Sequence, residues 1–455
     1  MIITRTFLTA LFLCTALALF GTTVIGVALP AIQRDLGAGV DGLQWIVNAY
    51  TVCLAGLTLT GGALGDRYGR KRLLLLGILV FLLGSLVSAL ADGVGLVIAG
   101  RVGQGVGAAV LLPGSLSILA RSTPDPVRRA ALLGWWGLFG GLAAALGPVL
   151  GGLLVDGFGW WSVFLLNLPL GLAALVAVWV AVPESADPAH TALDPLGQLL
   201  GIAWPAALSL GLIRAGRHGL DLGVWITVGL AVLAAVLFVV VELRQPRPMV
   251  PVRLFADRAF AVANYASFAL GFGPYAAFVL LALYLQQGRG LGAAESALWL
   301  LPLSVAMLVA SPVAGRLTAR LGGAAAMALG YGVAALGLAG CLLLGAGTPF
   351  ALAALVFALV GLGMGLAMTP TNVTAFGAVP IERSGLASAV VNTTRQTGTV
   401  VGVALLGALY AAGTAGTDVL PGLRIALAVA AGVTLLAALA ATLLRVRDKA
   451  HASAR

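Results

Sequence analysis

Charge is what this chain has least of. Among 455 residues there are only 26 Lys and Arg and 16 Asp and Glu, 9% of the total, against about a quarter in a soluble domain. With 60% hydrophobic residues it cannot cover itself with polar surface, which excludes soluble enzymes and soluble binding modules. The three cysteines, Cys14, Cys53 and Cys341, all lie inside apolar stretches, so a disulfide framework is excluded and small-residue packing remains. Histidine is as sparse. His190, His218 and His451 are scattered through connectors and tail, and no metal site is expected. No acid occupies the middle of any long apolar stretch, and no intramembrane Ser/His, His/Glu or paired-acid set is available for chemistry. A polytopic membrane enzyme is therefore only a remote alternative, and a sensor is disfavoured because no sizeable soluble domain is appended.

Long apolar runs, by contrast, fill the chain. They cover residues 7–30, 42–64, 73–91, 94–120, 130–155, 162–182, 197–213, 222–242, 259–287, 295–315, 323–345, 349–370, 386–412 and 421–444. At about 1.5 Å per helical residue each can cross roughly 30 Å of hydrocarbon. The first run, preceded by Arg5, is expected to remain as a span ending at Pro30 rather than be removed as a leader. Fourteen spans put both termini on one side. That side collects about 19 of the Lys and Arg and the other about four, with Arg101, Arg395 and Arg424 inside spans or at their edges, which makes it the cytoplasmic side. The net charge of +10 is thus a topological bias and not a nucleic-acid patch. One connector runs against the bias: 183–196 carries Glu184, Asp187 and Asp194 and no Lys or Arg.

The stretch Gly62–Arg72, GALGDRYGRKR, sets four cations (Arg67, Arg70, Lys71, Arg72) and one acid (Asp66) between the second and third spans. Its glycines at 62, 65 and 69 let the chain reverse and let helix ends approach. A degenerate copy follows at Gly315–Gly322, with Ala319 in place of Asp66, and Gly361, Gly363 and Gly365 repeat Gly103, Gly105 and Gly107. The expected organisation is a six-helix bundle over 1–182, two inserted linker helices with a cytoplasmic loop over 183–258, and a second six-helix bundle with a short basic tail over 259–455.

Three further stretches carry candidate function. In the fourth span, Arg101-Val102-Gly103-Gln104-Gly105-Val106-Gly107 places a cation about 10 Å deep, where it must face a partner or a wet cavity; the plainer reading is an interhelical tie. In the fifth, Gly134, Gly147, Pro148, Gly151 and Gly152 mark a kink or a very close helix contact. In the ninth, Asn264, Tyr265, Phe268, Phe272 and Tyr275 suit either packing or an amphiphilic ligand. Asn48, Arg395, and more weakly Trp45, Trp299, Met364, Met368, Asn392 and Gln396, are candidates of the same kind.

These stretches carry a resemblance. Gly62–Arg72 looks like the G-x-L-x-D-R-x-G-R-K-R signature of the major facilitator superfamily, and Arg101–Ala109 its R-x-x-Q-G-x-G-A-A signature. Gly134–Gly152 resembles the G-x8-G-x3-G-P-x2-G-G signature of its antiporter branch, with Ala143 replacing one glycine. Overall the chain is similar to the fourteen-span drug:proton antiporter family, a likeness that takes in Pro248–Phe255 and Asn392–Gly398. The resemblance implies an all-α polytopic membrane protein with the major facilitator fold. In it Gly62, Asp66, Arg67, Gly69 and Arg70 would form a conformational lock, and Arg101 with Gln104 would take part in proton coupling. The expected activity is export of small amphiphilic compounds across the plasma membrane by proton antiport and alternating access; the alternative is a facilitator or importer of a small metabolite. No cofactor beyond a proton gradient, no nucleic acid, and a monomer in the lipid bilayer are expected.

One departure matters. The family commonly carries an Asp nine residues before the proline that ends the first span, and often an Asn four before it; here these are Gly21 and Gly26. Asp41 or Glu295, near span ends, is left as the group that would carry the proton with Arg101. A lipophilic cation would meet no buried carboxylate, so neutral or weakly anionic substrates are favoured.

Overall fold

The computed structural model describes residues 4–123, 125–186, 194–245, 248, 250, 252–379, 384–414 and 418–453. They form helices α1 (Arg5–Thr23), α2 (Ile25–Leu36), α3 (Val40–Tyr68), α4 (Arg70–Ala89), α5 (Val94–Ser122), α6 (Pro126–Phe158), α7 (Ser162–Leu165), α8 (Asn167–Ala181), α9 (Pro195–His218) and α10 (Leu222–Arg244). They continue with α11 (Arg258–Leu270), α12 (Ala276–Leu283), α13 (Ala293–Leu321), α14 (Gly323–Gly340), α15 (Phe350–Gly377), α16 (Ser384–Gly413) and α17 (Leu420–Ser453), and there is no strand among the described residues. Among the described residues, thirteen helical stretches are long and apolar enough to cross a membrane. Helix α3, over the expected second span, has 29 residues and is long enough for a fourteenth crossing.

The chain divides into two compact units, one of residues 1–202 with 292–294, the other of 203–291 with 295–455. In the first, α4 and α5 pack backbone to backbone: a Cβ at Gly84 would lie 2.6 Å from Gln104 N, and one at Gly107 2.8 Å from Phe81 Cβ. Leu11, Leu17, Leu74, Phe81 and Leu111 fill the core against α1 and α8. The expected single span at 7–30 is instead two helices meeting at Val24. There the Thr22 and Thr23 hydroxyls donate to the carbonyls of Ala18 and Leu19, at 3.1 and 3.4 Å, and compete with the helical ladder. Pro30 does not end the span but lies inside α2, which stops at Gly37 with φ 63°.

In the second unit, α14 lies against α15 at Gly330 and Gly337, and α16 meets α11 at Gly398 and the turn at Phe272 at Gly402. Two π-helical turns, Gly271–Tyr275 and Tyr284–Gly288, flank α12. Helix α10 is apolar on nearly every side and buries only Val224, Ala231 and Glu242, as expected of a helix solvated by lipid.

The internal repeat is present in the contacts of each unit, in a register that needs correction. Position 315 follows 62 by 253 residues, and the same offset relates Gly322 to Gly69, each a lone break between two helices with positive φ (81° and 109°). Gly105 abuts the Tyr50 carbonyl as Gly361 abuts that of Leu303, and Gly107 abuts Phe81 as Gly363 abuts Ala334. The two glycine runs are therefore 256 residues apart, as 361 is from 105, and not the 258 that pairs Gly361 with Gly103. On this register Leu359 is the counterpart of Gly103, and the buried Phe357 is the counterpart of Arg101.

Candidate functional site

The stretch expected to be a charged connector is almost entirely helix. Helix α3 runs to Tyr68, α4 starts at Arg70, and only Gly69, at φ 109° and ψ 121°, separates them. That leaves the first N–H groups of α4 without helical partners. The acidic connector supplies them: Glu184 Oε1 accepts from Lys71 N at 3.1 Å and Oε2 from Arg72 N at 3.2 Å, while Arg70 N donates to the Ser185 carbonyl at 2.9 Å. Lys71 Nζ donates to the Trp179 carbonyl at 2.7 Å. A negative charge at a helix N-terminus is favourable, so the Glu184 that runs against the charge bias is an α4 cap. A Cβ at Gly69 would come 2.7 Å from its carboxylate. Gly62 faces Pro113, Arg70 is buried, and Arg67 is exposed with its guanidinium 5.3 Å from the Tyr68 ring centroid. Asp66 lies in α3, and its side chain falls outside the described residues.

Arg101 is the largest fully buried side chain among the described residues, 1% exposed. Its Nε donates to the Ile46 carbonyl at 3.0 Å, and its Nη1 to the Gly21 carbonyl and to Gln104 Oε1, both at 2.9 Å. The guanidinium lies 4.2 Å from the Tyr50 ring centroid, a cation–π distance. Gln104 Nε2 then donates to Ser85 Oγ at 2.7 Å, and Asn167 Nδ2 to the same oxygen at 3.2 Å. Three helices of the first unit thus meet on one cation and two more join through Gln104 and Ser85, and none of its hydrogen-bond partners is a carboxylate. The backbone of Gly21 takes one of its hydrogen bonds where the resembling family carries an acid. Asp41, in the first turn of α3, is not among its partners. Asn48 is fully buried, and neither polar atom of its side chain has a hydrogen-bond partner.

The fifth-span glycines pack on the joint between α1 and α2. A Cβ at Gly147 would overlap the Thr23 hydroxyl, and one at Gly151 would sit 2.7 Å from Val24 Cγ2. Gly152 meets Ala293 and Ala294, whose N–H groups donate to Asp156 at 3.1 and 2.7 Å; residues 292–294 belong to this unit. Pro148 lies within α6, and the surroundings of Gly134 fall outside the described residues.

The structure divides the ninth-span candidates of the second unit. Asn264 is an interhelical tie, its Nδ2 donating to the Phe260 carbonyl at 2.9 Å and its Oδ1 accepting from Thr394 at 3.1 Å. Phe272 is buried and stacked on the half-buried Phe268, centroids 5.9 Å apart. Tyr265 is exposed, its hydroxyl 3.5 Å from the Val433 carbonyl. Tyr275 keeps a half-buried hydroxyl 3.8 Å from Met368 Sδ, and Arg395 is half-buried with Asn392 Oδ1 as its hydrogen-bond acceptor. Trp299 carries the Arg289 guanidinium 4.2 Å from its ring centroid, Met364 is buried, and Glu295 is exposed in the first turn of α13. The Glu184 cap and the Gln104–Ser85–Asn167 relay went unseen in the sequence; an acid in a connector otherwise free of cations was the one available signal for the first.

An all-helical chain with thirteen membrane-crossing stretches, an internal repeat and a buried cation is a multi-pass membrane protein of the repeat-built transporter class. Residues 11–403 match the Major Facilitator Superfamily, and the chain belongs to it. It is 34% identical over 390 residues to the multidrug resistance protein Stp of Mycobacterium tuberculosis (86% of this chain, 72% of that protein). It is 35% identical to the methylenomycin A resistance protein of Streptomyces coelicolor (88% and 84%) and 36% identical to the cephamycin export protein CmcT of Amycolatopsis lactamdurans (91% and 87%). The crystal structure of the peptide transporter POT with sulfate shares the fold at TM-score 0.72 and 19% identity, over 97% of this chain and 94% of that one.

Proposed function

We propose that the protein exports small amphiphilic compounds of the drug and antibiotic kind across the plasma membrane, by proton antiport and alternating access. Both termini are cytoplasmic and the working unit is a monomer. The observation that carries the export direction is the Gly147–Gly152 run set against the α1–α2 joint, the packed form of the antiporter signature. The names of the relatives, two for drug or antibiotic resistance and one for cephamycin export, support the same reading. Arg101 stabilises the first unit and sets the potential around it, while Asp41 or Glu295 exchanges the proton. Neutral and weakly anionic amphiphiles are preferred over dications, because the membrane-spanning helices offer cations and no mid-span carboxylate.

Inverted vesicles loaded with the full-length protein test this directly. An inward-acid gradient should drive uptake of hydrophobic antibiotics, an uncoupler should abolish it, and the double variant Asp41→Asn, Glu295→Gln should lose the gradient dependence. Downhill movement that ignores the uncoupler would make the protein a facilitator, and undiminished gradient-driven uptake by the double variant would remove both acids from the proton path.

A further inference from the structure

Two arginines stand well inside membrane-crossing helices, and they are treated differently. Arg101 is sealed: it is 1% exposed, its Nε and Nη1 donate to two carbonyls and Gln104, and a tyrosine ring lies against its guanidinium. Arg395 lies eight residues into the stretch Ala387–Gly413, about 12 Å of helix, and remains half-buried. Among the described residues its guanidinium has one hydrogen-bond acceptor, the neutral Asn392 one turn earlier. Among the described residues no ion pair joins it to a carboxylate. Among the described acid side chains of that unit, Asp221 pairs with Arg214, Asp257, Asp418 and Glu242 accept from the N–H groups of Phe260, Leu420 and Val250, and Glu295 is exposed in the first turn of α13. A cation at that depth without a counter-charge is costly.

The neighbouring groups suit an anion. The π turn at 271–275 abuts Arg395: a Cβ at Gly271 would overlap the Arg395 carbonyl. The Tyr275 ring and the Met368 thioether, 3.8 Å apart at their polar ends, add polarizable apolar surface beside the charge. Helices α15 and α16 and the π turn at 271–275 therefore bring together one open cation, one phenol and a soft apolar wall.

We infer that Arg395 is the anion-binding group of the second unit, pairing with the carboxylate or enolate of a monoanionic aromatic amphiphile while the hydroxyl of Tyr275 flanks the same oxygens. This rests on the export reading and narrows its substrate class. The missing counter-charge arrives with the cargo, in the planar bidentate geometry that guanidinium and carboxylate share.

The test uses the full-length protein in lipid nanodiscs, with fluorescence binding of three matched probes: pyrenebutyrate, its methyl ester and the corresponding pyrenebutyl trimethylammonium. The wild type should bind the acid about ten-fold more tightly than the ester, the factor a charge-assisted hydrogen bond supplies, and the ammonium most weakly. Arg395→Gln should erase the preference for the acid and leave ester affinity within about two-fold. Arg395→Lys should restore part of it, which a merely structural arginine would not show. Equal loss of acid and ester, an acid preference that survives in Arg395→Gln, or no acid preference in the wild type overturns the inference. Uptake of the same probes into inverted vesicles separates the two readings. Arg395-dependent acid binding without gradient-driven uptake keeps the site and sinks export. Gradient-driven uptake of ester with no Arg395-dependent acid preference keeps export and sinks the site.

Discussion

At the scale of single residues, Arg101 holds the first unit together by neutral means. Two backbone carbonyls, one amide and one aromatic face replace the carboxylate that a buried guanidinium usually meets. Arg101→Leu would leave the Ile46 and Gly21 carbonyls and Gln104 Oε1 without their donor, at a cost of about 3 kcal/mol. The expected outcome is a clear drop in melting temperature in detergent. Arg101→Lys should lie between, since an ammonium reaches one carbonyl but cannot spread over the Tyr50 ring and two acceptors at once. An unchanged melting temperature for Arg101→Leu would show that the network contributes nothing to stability.

At the scale of elements, glycine decides how close the helices come. Gly107 and Gly363 occupy equivalent places in α5 and α15, each pressed on the neighbouring helix, whereas Gly432 in α17 has nothing within 4 Å of an added Cβ. Gly107→Val and Gly363→Val should each cost about 1–3 kcal/mol through overpacking and cut the yield of folded protein measured by size exclusion. Gly432→Ala should change nothing. The spans themselves were legible because hydropathy is a property of local sequence, and so was the repeat at Gly62 and Gly315. The glycine register was misread by two because a G-x-G-x-G run matches itself when slid by two; only the carbonyls of Tyr50 and Leu303 tell the copies apart. The Glu184 cap was illegible for a different reason. Its partners, Lys71 and Arg72, lie more than a hundred residues away in sequence, and nothing local marks them. Pro30 was overread, since a proline within the first turns of a helix that starts at Ile25 need not end it.

At the scale of the whole molecule, topology is the claim most open to a direct check. The Arg72 side chain is 82% exposed, while Cys14 and Cys341 are buried. Arg72→Cys should therefore react with a membrane-impermeant maleimide in inverted vesicles and not in intact cells; labelling in intact cells would turn the assigned topology inside out. The repeat adds a consequence of its own. Where one copy of the duplicated template keeps Arg101, the other has Phe357, equally buried. At this one position the copies are electrically unlike, so the membrane potential acts there on a charge in the first and on a neutral ring in the second.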